Sequence, residues 1–543
     1  MTRNWLAIAM MIALPAAVFW QTRDFEFVWD DEVNVATNPY LNAFTASNVT
    51  QLWQKPYDGL YIPMTYTVWA AIAPLARFST AKDSDKLSPK LYHLANVGFH
   101  IANTLIVFAI LMIVIQNDWA ACAGALLFAL HPVQVEPVTW VTGMKDVLCG
   151  FFSVIAVWQY LLYSKKRRKA ITDGESNTRL TRQARFHYLG ATIVFICAML
   201  AKPAAVITPV IVLLLDSLAL KRPLRETALP IGGWLLLTIP FVIIAKLSQP
   251  ESELGFVTPL WARPLIAGDA SAFYLYKLFL PLRLAPDYSR SPEFVLQQSL
   301  TYFIWLIPFS AAVLIWRGKR RWPWLVAAGG IFLVGSLPVS GLVPFRFQNS
   351  STVADRYLYL AMLGPALALA CVLCKRRSAT VTLLCFAAIG LFGVISAWQT
   401  RHWENEPSLF THVLEINPRS WAAHYGLGRA FVRQGKKSDA MEHFREAARL
   451  QPEFTKAHFS LAGLLVAEGS LGEAIVEYRQ ALRIAPNYVD ARVGLAKALT
   501  LQGNLAAGLD EYRRALDLAP GRTDIASAVD DLLTRKGTRA GTN

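Results

Sequence analysis

Charge is scarce in this sequence: 17% of the 543 residues are Asp, Glu, Lys or Arg, against 54% hydrophobic. That balance excludes a disordered or strongly solvated chain. Cysteine is sparser still. All six (Cys122, Cys149, Cys197, Cys371, Cys374 and Cys385) lie in apolar segments, so no disulfide framework is implied. The CxxC at Cys371 and Cys374 reads as two small apolar residues at a helix end. Motifs of soluble catalysis are missing as well: no Ser–His–Asp arrangement, GxSxG elbow, P-loop or Rossmann fingerprint stands in a fitting context. The net charge is +15, yet the basic residues fall in short clusters between apolar runs. With no basic domain, nucleic acid is excluded as a partner.

What the chain has in abundance is apolar runs of membrane-spanning character. They cover about 5–20, 92–115, 119–135, 146–163, 187–201, 204–219, 229–247, 299–316, 322–338, 357–374 and 379–397, eleven in all. These runs predict a polytopic, all-α protein. "VFWQT" lacks the small-residue cleavage pattern of a signal peptide, so the first run reads as an uncleaved span. The connections alternate in charge. Residues 164–185 carry eight Lys/Arg against two acids, and "KRPLR" (221–225), "RGKRR" (317–321) and "KRR" (375–377) are also basic. By the positive-inside rule these loops and Arg3 face the cytoplasm. The expectation is an inner (plasma) membrane protein with a cytoplasmic N-terminus. Residues 21–91, 136–145, 248–298, 339–356 and everything beyond 397 then lie outside. This requires 61–77, "YIPMTYTVWAAIAPLAR", to lie along the outer surface as an interfacial helix.

The outer segments hold the residues that could carry chemistry. The first, up to residue 60, has six acids and two bases, with Asp30 and Asp31 adjacent at the membrane edge. His93, Asn96, His100 and Asn103 are spaced 3, 4 and 3, within roughly 80° of helix arc. Such a stripe either fastens helices together or lines a polar cavity, and four members at one end favour the cavity. "LHPVQVEPVTWVTGMKDVL" brings His131, Glu136, Lys145 and Asp146 around two prolines, predicting broken backbone that lines a cavity. Lys202 adjoins Pro203, and "FRFQNSSTVADRYLYL" adds Arg346, Asp355, Arg356 and Tyr357. One cation at a helix end ordinarily snorkels to the interface. Lys145, Lys202, Arg346 and Arg356 on one side instead suggest an anionic lipid headgroup. A divalent ion bridging Asp30 or Asp31 to a phosphate stays open, because the sequence fixes no complete ligand set.

The tail is periodic. Prolines at 418, 452, 486 and 520 recur every 34 residues, with Ala440, Phe444 and Ala447 echoed by Ala474, Tyr478 and Ala481, then by Tyr512 and Ala515. This is the tetratricopeptide period. It gives a partial repeat or linker at 401–420, three repeats at 421–522 with Gly508 in place of an expected Ala, and a capping helix and tail at 523–543. Stacked repeats of this kind form a groove for peptide or protein.

Taken together, "FVWDDEVNVATNPYL", "HLANVGFHIANTL", "ALHPVQVEPVTWVTGMKDVL", "AKPAAVITPVIVLLLD" and "ADRYLYL", followed by the repeats, resemble the transmembrane-and-tetratricopeptide protein O-mannosyltransferases and their bacterial relatives. One departure is Ile62 in "YIPMT", where the family usually has Arg. The resemblance implies a GT-C-like multi-span glycosyltransferase domain over 1–400. It implies a polyprenyl-phosphate-linked sugar as donor and a Ser or Thr hydroxyl of a protein as acceptor. Asp30 is then expected as general base, with Asp31 orienting it or exchanging roles, and the cations as stabilisers of the leaving phosphate. His93, His100, His131, Glu136, Asp355 and Tyr357 are expected to bind the donor, and Asn96 and Asn103 to line the cavity. The same fold acting on a lipid-linked glycan or lipid A, and a non-catalytic membrane scaffold, are the alternatives.

Overall fold

Each of the eleven apolar runs coincides with a helix or a helix pair. The structure is a computed structural model describing residues 2–41, 45–77, 86–172, 178–249, 256–376 and 378–540. Among the described residues there is no strand, only isolated bridges. Six helices of the described residues are long and apolar enough to cross a membrane: Trp5–Asp24, Lys90–Ile115, Met144–Ile171, Arg179–Ala201, Leu224–Leu247 and Ala379–Trp403. Asp118–Leu130 and Pro132–Thr139 form a further pair bent by 52°. Pro203–Ala219, Thr301–Arg317, Pro323–Val339 and Leu363–Lys375 are shorter apolar helices. The last is about 20 Å long at 1.5 Å per residue, against a hydrocarbon core of about 30 Å, so length alone does not settle eleven crossings.

Three elements differ from expectation. The helix Met144–Thr172 runs on through Lys165–Lys169, which were read as loop. Lys and Arg are good helix formers, and no Gly or Pro interrupts them. Residues 173–177 of that basic stretch, and Arg377 of the "KRR" cluster, lie outside the described residues. A helix at Arg263–Phe279 was read as part of an outer loop. Its start carries Pro264 at the first turn, and Ile266, Ala270, Tyr274 and Lys277 recur on one buried face, an amphipathic spacing that could have been found. The segment around 61–77 forms the ten-residue helix Pro63–Ile72. At about 15 Å it is too short to span alone. It buries Tyr66 and Trp69 completely, so it is packed into protein.

Small residues let the helices meet closely, as expected where packing rather than hydrophobic exclusion joins them. A methyl group on Gly124 would sit 2.5 Å from the Ala366 carbonyl oxygen, and one on Gly364 would overlap the Ala328 carbonyl.

By its own contacts the chain divides into two units, Met1–Leu409 and Phe410–Asn543. The second unit pairs Trp421–Arg433 with Lys437–Leu450, Thr455–Glu468 with Leu471–Ile484, and Val489–Leu501 with Leu505–Leu518, ahead of Thr523–Ala540. One fastening recurs with the 34-residue period. His424, His458 and Arg492 each bond a preceding proline carbonyl, of Pro418, Pro452 and Pro486, at 3.3, 3.0 and 2.6 Å. Each also meets the following helix, at His443 (2.9 Å), Glu477 (2.6 Å) and Glu511 (2.8 Å). Gly508 has a local reason: a methyl group there would overlap the Thr500 hydroxyl, which is bonded to the Ala496 carbonyl at 2.8 Å.

The close crossing at Gly364 is a direct test of this packing. Gly364→Val forces a side chain into backbone that cannot rotate away, and we expect a loss of about 1–3 kcal/mol. It should register as a lower thermal midpoint of the detergent-solubilised chain, whereas Gly390→Val, at a position with open space around it, leaves the midpoint unchanged.

Candidate active site

Val28-Trp29-Asp30-Asp31 is a tight turn. The Asp31 amide donates to the Val28 carbonyl at 3.1 Å, and Trp29 follows Val28 with φ of +58°. A bulky residue in the left-handed region costs about 1 kcal/mol or more and persists only where its surroundings hold it. What holds the turn is Asp31. One carboxylate oxygen accepts from the Val28 amide at 3.0 Å; the other accepts from the Thr142 amide at 2.7 Å and its hydroxyl at 2.5 Å. Asp31 is fully buried. Its carboxylate thereby joins the turn at 28–31 to the backbone break at 140–143, 111 residues away.

Asp30 stands at the tip of the same turn with a different environment. Its buried Oδ1 has no hydrogen-bond partner. Burial pushes its pKa above the ordinary 3.8, opposed chiefly by the charges of Lys145 and then Arg356. Burial and the neighbouring Asp30 push Asp31 up to about 7, against the pull of the Thr142 hydrogen bonds.

The expected cations divide in a way the sequence does not reveal. Lys202 is paired with Asp146, Arg356 with Glu136, and Arg346 lies 3.7 Å from Asp58 at an exposed position. Lys145 makes no ion pair among the described residues; its ammonium lies 4.9 Å from the centre of the Trp140 ring. The Arg356 guanidinium is stacked among Phe347 (4.3 Å), Tyr357 (4.8 Å) and Trp140 (5.5 Å). Its own amide donates to the second Glu136 oxygen at 2.9 Å. Lys202 faces the Tyr357 ring at 5.5 Å. Asp355 turns away to accept from the Tyr288 hydroxyl on both oxygens, at 3.0 and 2.9 Å. Burial and then Glu136 raise its pKa.

The His/Asn stripe is placed differently from the cavity expected of it. Asn96 donates to the Trp140 carbonyl at 2.7 Å, and Asn103 to the Val147 carbonyl at 3.0 Å and the Tyr359 hydroxyl at 2.7 Å. His100 spans the Tyr359 hydroxyl (2.9 Å) and the Ala129 carbonyl (3.0 Å). These three fasten the helix Lys90–Ile115 to carbonyls at the end of one helix, in the break at 140, and in the first turn of the next helix. His93 is buried edge-on to Phe25. His131 bonds the Leu278 carbonyl at 3.0 Å, in the helix Arg263–Phe279. Sequence reasoning missed Trp29, Trp140, Thr142, Asp58 and Tyr359. Thr142 carried no signal, since a hydroxyl in "WVTGM" is unremarkable until Asp31 meets it. No three His, Cys, Asp or Glu side chains converge among the described residues, and Asp31's oxygens are already engaged. These residues do not fit a dedicated metal cage.

Tetratricopeptide-repeat family models match residues 408–453, 425–489 and 465–532. Beyond the tail, the chain is 22% identical over 463 residues to a protein O-mannosyl-transferase of Caenorhabditis elegans, F38B6.6, covering 82% of this chain and 62% of that protein. It is 23% identical to the human protein O-mannosyl-transferase TMTC4, covering 78% of this chain and 64% of that protein. Over most of its length the chain is thus similar to animal protein O-mannosyl-transferases. It spans less than two thirds of the length of these two relatives. Among solved structures, MamA is 20% identical, covering 24% of this chain and 77% of its own, with a TM-score of 0.24.

The two aspartates of the turn should separate in a stability measurement. Asp31→Ala strands the Val28 and Thr142 amides in the interior, at about 1–3 kcal/mol for each unmet group, so the thermal midpoint falls. Asp30→Asn removes a buried charge without breaking a side-chain hydrogen bond, and the midpoint holds or rises.

Proposed function

We propose that this protein is a membrane glycosyltransferase that moves a hexose from a polyprenyl phosphate carrier to a Ser or Thr hydroxyl of a polypeptide on the non-cytoplasmic face. The observation that carries the reading is an Asp30 carboxylate whose buried Oδ1 has no hydrogen-bond partner, in the field of a Lys145 ammonium that makes no ion pair among the described residues, with the buried Arg356 and the half-buried Lys202 as further cations. The names of the relatives and the tetratricopeptide tail support a protein as acceptor. The basic clusters at 317–321 and within 164–185 support the sidedness.

In the proposed step Asp30 accepts the proton of the acceptor hydroxyl as its oxygen attacks the anomeric carbon. The bond from that carbon to the phosphate oxygen breaks, and the polyprenyl phosphate leaves. A phosphate dianion is a weak base and needs no acid; it needs positive charge as its own charge grows. Lys145 is the first candidate, because Arg356 and Lys202 already face Glu136 and Asp146. A single displacement inverts the anomeric configuration. Asp31 acts through the turn it clamps, so it is a positioning residue.

Two outcomes follow. In a deletion strain complemented at matched expression, wild type should restore hexose additions on Ser/Thr of envelope proteins by mass spectrometry, and Asp30→Asn should not. Restoration by both variants would remove Asp30 from the chemistry. The pH dependence is a second check. Activity requires ionised Asp30, so it is lost as pH falls through a pKa raised above 3.8. Lys145 holds that pKa down, so Lys145→Met should move the acid limb of the residual rate to higher pH while lowering kcat.

A further inference from the structure

Trp29 is the residue of this region whose conformation is hardest to explain by folding alone. Position 29 would suit glycine, which adopts a φ of +58° without a clash. Instead it carries the largest side chain available, in a loop rather than in a core. The indole is only partly buried. It stacks on Trp140 with ring centres 5.3 Å apart and planes at 19°, and it lies 6.0 Å from the Phe347 ring. Strain of this kind persists when a side chain is wanted where the turn puts it.

The neighbours say what it would be wanted for. Asp30 follows it in the chain, and the unpaired Lys145 ammonium lies over the ring of Trp140, to which Trp29 is stacked. A stacked pair of indoles therefore has a carboxylate next in the chain to one ring and a cation over the other. A hexose has C–H faces that pack on an indole and hydroxyl edges that do not. On a carrier lipid it is joined to a phosphate on one side and presents its anomeric carbon to the acceptor.

We propose that Trp29 is the sugar-reading residue of the site: its ring is the platform on which the hexose of the carrier lipid lies, between Lys145 at the phosphate and Asp30 at the acceptor hydroxyl. This rests on the glycosyltransferase reading above. It adds the group that distinguishes a glycosylated carrier from the bare phosphate left after transfer. Trp140 backs the platform, and the Asp31 clamp keeps the turn from relaxing away from it.

The test uses the full chain in detergent, with polyprenyl phosphate and polyprenyl phosphate mannose of equal chain length as probes. Thermal stabilisation by each probe is read as an apparent Kd. Wild type should bind the mannosylated lipid more tightly than the bare phosphate. Trp29→Gly relieves the backbone, so it keeps or raises the midpoint of the unliganded chain. It should lose that preference, with mannosylated-lipid binding weakened by about 3- to 10-fold, the worth of one aromatic contact, and bare-phosphate binding unchanged. Trp29→Phe should retain part of the preference. Equal binding of both lipids by wild type, or an undiminished preference in Trp29→Gly, overturns the proposal. Hexose transfer to a Ser/Thr peptide by Asp30→Asn is measured alongside. Loss of that transfer together with an undiminished preference in Trp29→Gly rejects the platform alone. Absence of hexose transfer by wild type rejects the reading on which the platform rests, whereas transfer retained by Asp30→Asn removes only Asp30 from it.

Discussion

The Asp31 carboxylate is the interaction on which this end of the bundle depends. It takes up three donors, one from its own turn and two from Thr142. It thereby ties the segment after the first helix to a backbone break that no regular helix could reach. Without it the left-handed Trp29 would be free to relax, and Asp30 would have no defined direction. A buried carboxylate is costly unless its oxygens are occupied, and the occupied oxygens are also what makes this one a fastener.

Around that clamp two carboxylates are matched with cations, while Lys145 and Asp30 are not. Glu136 with Arg356 and Asp146 with Lys202 are both largely buried. Removing charges from water is repaid only when geometry and extra hydrogen bonds are good. Arg356 meets this with Glu136 on its guanidinium and its amide, and with three aromatic rings around it. Lys145 and Asp30 are the cation and the carboxylate left without such partners, and they interact with each other through space. Groups left unmatched in an otherwise matched interior are where an anion and a proton donor would find their complements.

The repeat unit shows the same economy in a regular form. One side chain every 34 residues bonds a proline carbonyl and reaches the next helix, at His424, His458 and Arg492. Proline ends each helix by withholding an amide, and the carbonyl it exposes is met by the repeat that follows. Between successive repeats only the chemistry of the pair changes, from two histidines to histidine with glutamate to arginine with glutamate.

Much of the architecture was legible because it depends on local or periodic patterns. Apolar runs located the long helices, the prolines near 131–137 located the broken backbone, and a 34-residue spacing located the repeats. The amphipathic spacing of Arg263–Phe279 is equally local, though it lies within a stretch whose many prolines and polar residues suggest loop. What the sequence by itself determined is therefore where helices form, how charge biases the loops, and which polar residues gather near one end. Only the tertiary structure decided what each polar residue meets there. Asp30 and Asp31 are chemically identical neighbours, and the difference between them is Thr142, 111 residues away. Asn96, His100 and Asn103 share a helix face whether they line a cavity or bind carbonyls; the carbonyls of Ala129, Trp140 and Val147, brought alongside by the fold, made them fasteners. Periodicity reports which face a residue is on, and partners from distant parts of the chain decide what that face does.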